Sequence, residues 1–176
     1  LCRPDIRILR GFAVPPDFDG LVFDIGGGRF DHHMKNSPVR PNGVPYAAFG
    51  LLWRELGAGL IGAADAKRFD ESFVQPLDED DNTGRGNQLA TVIAAYNPRW
   101  DGGEDPDACF AEAVALARDM LSHKFETIRS VQRAAAEVNA ALGRMKRRIV
   151  RLERFAPRKQ QLIPSKARLV VYPPPR

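Results

Sequence analysis

Cysteine is scarce in this chain of 176 residues, and the two present, Cys2 and Cys109, stand far apart. Neither lies in a paired spacing of the kind that binds zinc or runs dithiol redox chemistry, so both read as ordinary thiols, buried or half-exposed. Long apolar runs are missing too. No segment approaches the roughly eighteen residues needed to span a bilayer, and no secretory leader precedes the first strand-like segment, which sets the expectation of a cytoplasmic protein with no membrane partner. Compositional extremes are also absent: hydrophobic residues make up 44% and charged residues 27%, ordinary for a globular protein and wrong for a disordered or fibrous one. The length fits one domain, or one plus part of a second, with a core large enough to need no staples.

What is present is unevenly placed. The net charge is only +4, yet from Arg129 to Arg176 thirteen Lys or Arg face two acids, Glu137 and Glu153, while the first 128 residues carry thirteen bases and twenty acids. An acidic part able to gather cations is joined to a basic part able to gather polyanions, the charge layout of an enzyme acting on phosphates. The chain opens at Leu1 without methionine and closes at Pro173-Pro174-Pro175-Arg176, so it reads as a piece of something longer, cut at both ends.

Along the chain, Asp5–Arg10 alternates apolar and polar residues as a strand does, before Gly11 and Pro15-Pro16. Leu21-Val22-Phe23 is a short apolar run of the kind covered on both faces of a parallel sheet; it ends in Asp24, then Gly26-Gly27-Gly28, then a second extended segment, Arg29–His33. Helical spacing follows over Tyr46–Leu56, with Gly57 as the stop, over Ala63–Leu77, with Pro76 ending it, and over Leu89–Tyr96. Asp105-Pro106 caps a long amphipathic helix whose apolar stripe runs from Phe110 to Leu142 and stops at Gly143, a core face or a homo-oligomer seam. Ile149–Leu152 and Leu169–Tyr172 supply two more strands. The expected fold is therefore α/β, a mostly parallel sheet flanked by helices over residues 1–105, with the long helix 106–143 leading to part of a smaller basic lobe, 144–176.

The residues that carry chemistry are Asp24, Asp31, His32, His33 and Asp78. Asp24 closes an apolar run, and ligands of open α/β sheets bind at the carboxyl ends of strands. The glycines let the backbone turn sharply, so that Asp31 and His32, seven and eight residues on, can converge on the same point. Asp78, first of the run Asp78-Glu79-Asp80-Asp81, follows the apolar Phe73, Val74 and Leu77 and so stands where a buried face meets a loop. Carboxylates plus imidazole make a hard, negative site suited to one or two manganese or magnesium ions rather than to a structural zinc. His123, alone on the long helix, reads as a surface or packing histidine.

These residues resemble a known family. Val22-Phe23-Asp24-Ile25-Gly26-Gly27 with Arg29-Phe30-Asp31-His32-His33, then Asn42-Gly43-Val44, Phe49-Gly50, Phe73–Asp78 and Asp81-Asn82, are similar to the Myg family of the DHH phosphoesterase superfamily. The tail, Leu152–Pro157 with Leu169–Pro173, resembles that family's C-terminal region. The resemblance implies a DHH-like fold and a metal-dependent phosphodiesterase, a 3′-to-5′ exonuclease on RNA or single-stranded nucleic acid. It implies Asp24, Asp31, His32 and Asp78 as metal ligands, with Asp31, His32 and His33 at the catalytic centre, Asp81 as the fallback for Asp78, and two manganese or magnesium ions in the complete protein. It also implies a histidine- and aspartate-bearing motif upstream of Leu1 that completes the site. Two other readings stand beside it: hydrolysis of a small phosphate, and an inactive scaffold whose basic end grips nucleic acid through phosphates. Neither Trp53 nor Trp100 marks an aromatic platform that would decide among them.

Overall fold

The computed structural model describes residues 6–174. The chain divides into two compact units, Leu1–Ser122 and His123–Arg176, with the border inside one helix. Cys2 and Asp5 lie outside the described residues.

In the first unit, helix α1 spans Ala48–Ile61 and buries Ala48, Leu51, Trp53 and Ile61. It runs through Gly57, the expected stop, because that glycine is packing space: a Cβ there would sit 2.6 Å from the Trp53 ring. It ends at Gly62, whose φ of 83° an L side chain resists. Helix α2, Ala63–Phe69, lies against α1, where the Trp53 indole N–H donates to the Ala66 carbonyl at 3.1 Å. Pro76 does not end the next segment. A π-helical turn, Asp70–Val74, widens the coil, and Pro76 then falls in the first turn of α3, Gln75–Thr83, where a missing N–H costs nothing. The helix thus carries on to Thr83 and lifts Asp78 and Asp81 onto one face, a turn apart. Phe49, Trp53, Phe69 and Phe73 pack ring to ring between α1 and α2 with its π-turn. Helix α4, Gln88–Ala94, is capped by the Asn87 side chain, which accepts from the N–H groups of Leu89 and Ala90.

Helix α5, Pro106–Gly143, follows the expected bounds, and the Asp105 side chain accepts from Asp107 N–H at its start. Its C-terminal end belongs to the second unit. There Ala134, Val138 and Ala141 form a small core with Val150, Leu152 and Ala156. Strand β1, Ile149–Arg151, pairs in parallel with β2, Leu169–Val171, in the register Ile149 to Leu169, and the short helix α6, Lys159–Leu162, lies on the connection.

The flanked parallel sheet expected of residues 1–105 is not formed among the described residues. Among the described residues the one sheet is the β1–β2 pair, the molecule is mostly helical, and its α/β character is weak. Ile6–Arg10, Leu21–Phe23 and Arg29–His33 are irregular. A strand exists only through a ladder of hydrogen bonds with a neighbour, and these segments form no ladder among the described residues: Leu21 and Phe23 stand 55% and 42% exposed instead of being covered on both faces. No helix among the described residues is long and apolar enough to cross a membrane.

Candidate metal centre

The loop from Asp24 to His33 is shaped by its own polar atoms. Asp24 has φ 67°, in the left-handed region that a non-glycine residue enters at a cost of about 1–2 kcal/mol. Its N–H is tied to the Phe30 carbonyl at 3.0 Å, and Phe30 itself is buried. Gly27, at φ 68°, turns its N–H onto Asp31 Oδ2 at 2.8 Å. The other oxygen, Oδ1, accepts the His33 N–H at 3.0 Å and lies 2.8 Å from His33 Nδ1. Asp31 therefore closes the loop on both sides. The backbone N–H groups of His33 and Gly27, followed by the imidazole, hold its carboxyl down at about 2. The same hydrogen bond raises the His33 pKa above its usual range.

His32 is the residue on which separate parts of the first unit meet. Its side chain is only 8% exposed and stands between two carboxylates: Nδ1 is 3.3 Å from Asp24 Oδ1, and Nε2 is 3.0 Å from Asp81 Oδ2 on α3. Ser37 holds its backbone, donating from Oγ to the His32 carbonyl. A neutral imidazole has one N–H, so one nitrogen can donate to a carboxylate while the other presents a lone pair. Nδ1 is buried, makes no well-formed hydrogen bond and has the Asp24 carboxylate as its neighbour at 3.3 Å, so an ion could be shared between the two. The His33 ring lies against that of His32, centroids 4.1 Å apart, and ligand atoms of Asp24, His32 and His33 fall within 4.8 Å of one another. Oxygen plus imidazole nitrogen is a donor set for manganese or magnesium, and no thiolate is among the residues brought together there. A cavity of about 460 Å³ opens beside it, lined by Phe23, Asp24, Phe49, Leu77, Asp80 and Asp81.

Asp78 lines the same cavity, but its oxygens are turned to other partners. It is 1% exposed, its Oδ2 lies 2.8 Å from Arg40 Nη2, and its Oδ1 accepts the Gly50 N–H at 3.0 Å. Burial pushes its pKa up while the Arg40 guanidinium pulls it down. Arg40 was not legible in the sequence. It is 4% exposed, donates to both Asp70 oxygens at 3.1 and 2.7 Å and to the Pro45 carbonyl, and lies 3.9 Å over the Tyr46 ring. The Asn42-Gly43 turn after it, joined to Gln75 through Asn42 Nδ2 at 2.8 Å, fixes its backbone. Gly50 is required by the pair: a Cβ there would collide with Asp78 Oδ2 and sit 2.7 Å from Arg40 Nη2. Of the residues singled out in the sequence, the structure gathers Asp24, Asp31, His32 and His33 on one loop, and it is Asp81 that reaches them from α3.

The family model MYG1_exonuc, described as Uncharacterised protein family (UPF0160), matches residues 17–172. The chain belongs to this family. The MYG1_exonuc match takes in the Asp24–His33 loop, Arg40, Gly50, all of α3 and both strands of the second unit. No curated protein and no solved structure matches the chain.

Proposed function

We propose that the chain carries the DHH portion of a divalent-metal-dependent phosphodiesterase centre, acting as a 3′-to-5′ exonuclease on RNA or single-stranded nucleic acid. The observation that carries this reading is His32, its side chain buried between the carboxylates of Asp24 and Asp81, with Asp24 and His33 close enough to share an ion with it. Membership in a family named as an exonuclease supports the reaction class.

In this reading Asp24, His32 and His33 hold manganese or magnesium, and Asp81 accepts from His32 Nε2 and so turns Nδ1 to the ion. Asp31 and Asp78 were both expected among the ligands; here Asp31 orients the His33 ring and locks the Gly27 turn, and Asp78 anchors α3 through Arg40 so that Asp81 faces the loop. A bound ion lowers the pKa of a coordinated water and neutralises charge on a phosphoryl oxygen. The protein's own contribution is placement. Asp24 is kept in a strained conformation by the Phe30 carbonyl, and a carboxylate on each side of His32 fixes its tautomer and ring orientation.

The test is release of nucleotides from an end-labelled single-stranded oligonucleotide, with and without manganese, by the wild type, Asp24→Asn and His32→Ala, alongside calorimetric titration of manganese alone. The expected result is cleavage that requires manganese and is lost in both variants together with manganese binding. Cleavage that persists in chelator, or that neither variant changes, rules the reading out.

A further inference from the structure

The second unit contains a feature that the proposed metal centre does not use. β1 and β2 run parallel, so both are entered from the same end of the pair. The segment entering β1 is Lys146-Arg147-Arg148, and the one entering β2 is Lys166-Ala167-Arg168. Their backbones touch there: Arg168 N–H donates to the Arg148 carbonyl at 2.8 Å. Five cations from two stretches of sequence are thus gathered at one edge, and all five side chains belong to exposed residues.

That edge is neither floppy nor neutralised. Lys146 and Ile149 exchange backbone hydrogen bonds at 3.3 and 2.8 Å, closing a two-residue turn with Arg147 and Arg148 at its tip. Both arginines have positive φ, 49° and 62°, the type I′ arrangement that Asn-Gly adopts with least strain. Arginine at two strained positions, where turn chemistry favours a small polar residue and glycine, points to a use for the side chains. The unit's three acids are engaged elsewhere: Glu126 with Arg133, Glu137 with Arg154, and Glu153 with Arg144 at 4.0 Å. None of the five cations has an acid partner among the described residues.

We propose that this edge, Lys146, Arg147, Arg148, Lys166 and Arg168, is a docking surface for the phosphate backbone of a single-stranded nucleic acid. Three guanidinium forks suit phosphate oxygens. Leu169 and Val171, 53% and 46% exposed on one face of β2, offer an apolar surface to unstacked bases, which a duplex does not present. The surface deepens the exonuclease reading by giving the polymer a hold apart from the hydrolytic site, and it rests on that reading for its choice of polyanion.

The experiment measures binding of a fluorescent twelve-nucleotide single-stranded RNA by anisotropy in chelator, over a range of salt, so that no cleavage intervenes. The double substitution Arg147→Asn with Arg148→Gly removes two charges and relaxes the turn, so its melting temperature is expected to equal or exceed that of the wild type. Affinity at low salt should fall at least about tenfold, and the slope of log affinity against log salt should shrink by roughly 0.7 for each phosphate no longer neutralised. Arg168→Gln should weaken binding in the same direction. Unchanged affinity in both variants overturns the proposal, as does binding of the wild type to anionic phospholipid vesicles in preference to RNA. The wild type assayed with manganese separates the two claims: RNA held through the arginines by a wild-type protein that never cleaves it leaves this surface standing and removes the hydrolytic reading, while manganese-dependent cleavage with RNA affinity unmoved in both arginine variants does the reverse.

Discussion

Two acids on one face of α3 carry the same chemical group to opposite ends. Asp78 and Asp81 are one turn apart, yet the first is sealed against Arg40 and the Gly50 N–H, while the second, with its side chain 55% exposed, meets His32 across the loop. A carboxylate that has lost water must be matched atom by atom and becomes part of the frame. A carboxylate at the rim keeps lone pairs for something else. Helix α1, through the Gly50 N–H, and the Arg40 guanidinium cover the first acid, and the polar Asp24–His33 loop meets the second through His32.

The contrast between the two acids breaks most violently on its buried side. Arg40→Ala strands Asp78 without its cation, and the expected loss is about 3–5 kcal/mol in urea denaturation of the chain, as for other buried pairs opened from one side. Asp81→Ala should cost far less stability, because that group stands half in water, but manganese affinity in calorimetric titration should drop at least about tenfold. An Asp81→Ala protein that unfolds as readily as Arg40→Ala would show that the two acids do not divide the work in this way.

Gly50→Ala sharpens the same contrast. Helix propensity alone predicts a gain of up to about 1 kcal/mol. The methyl group would instead enter the Asp78–Arg40 contact, hard against Oδ2, so a net loss of about 1–3 kcal/mol is expected, read from the denaturation midpoint. The smallest effect belongs to the loop. Asp31 sits at about 2 in the fold against 3.8 in an unstructured chain, so its stabilisation is complete above pH 3.8 and fades as pH falls toward 2. Asp31→Asn should flatten the acid limb of stability between those values and leave the neutral region nearly parallel to the wild type.

Much of the helical framework is legible in residue spacing. The Asp105-Pro106 start and Gly143 end of α5, the Asn97-Pro98 close after α4 and the two strands of the second unit follow from local rules of capping, period and turn chemistry. Two features of the first unit do not. Pro76 reads as a terminator because a proline's missing N–H breaks a regular ladder, and nothing local reveals the π-helical turn that places it harmlessly in a new first turn. The extended segments before His33 have strand composition, but pairing is a relation between distant segments, and no partner lies beside them among the described residues.

Sequence by itself determined which donors are available: carboxylates and two imidazoles at the glycine turn and in the acidic run, chemically fit for hard divalent ions, and a basic tail suited to phosphate. Which acid faces which partner was decided only in three dimensions. The choice between Asp78 and Asp81 depends on the rotation of α3 about its axis, set by the π-helical turn and by an arginine 38 residues upstream of Asp78. Linear spacing fixes which residues share a helical face, but not which of them the rest of the chain covers.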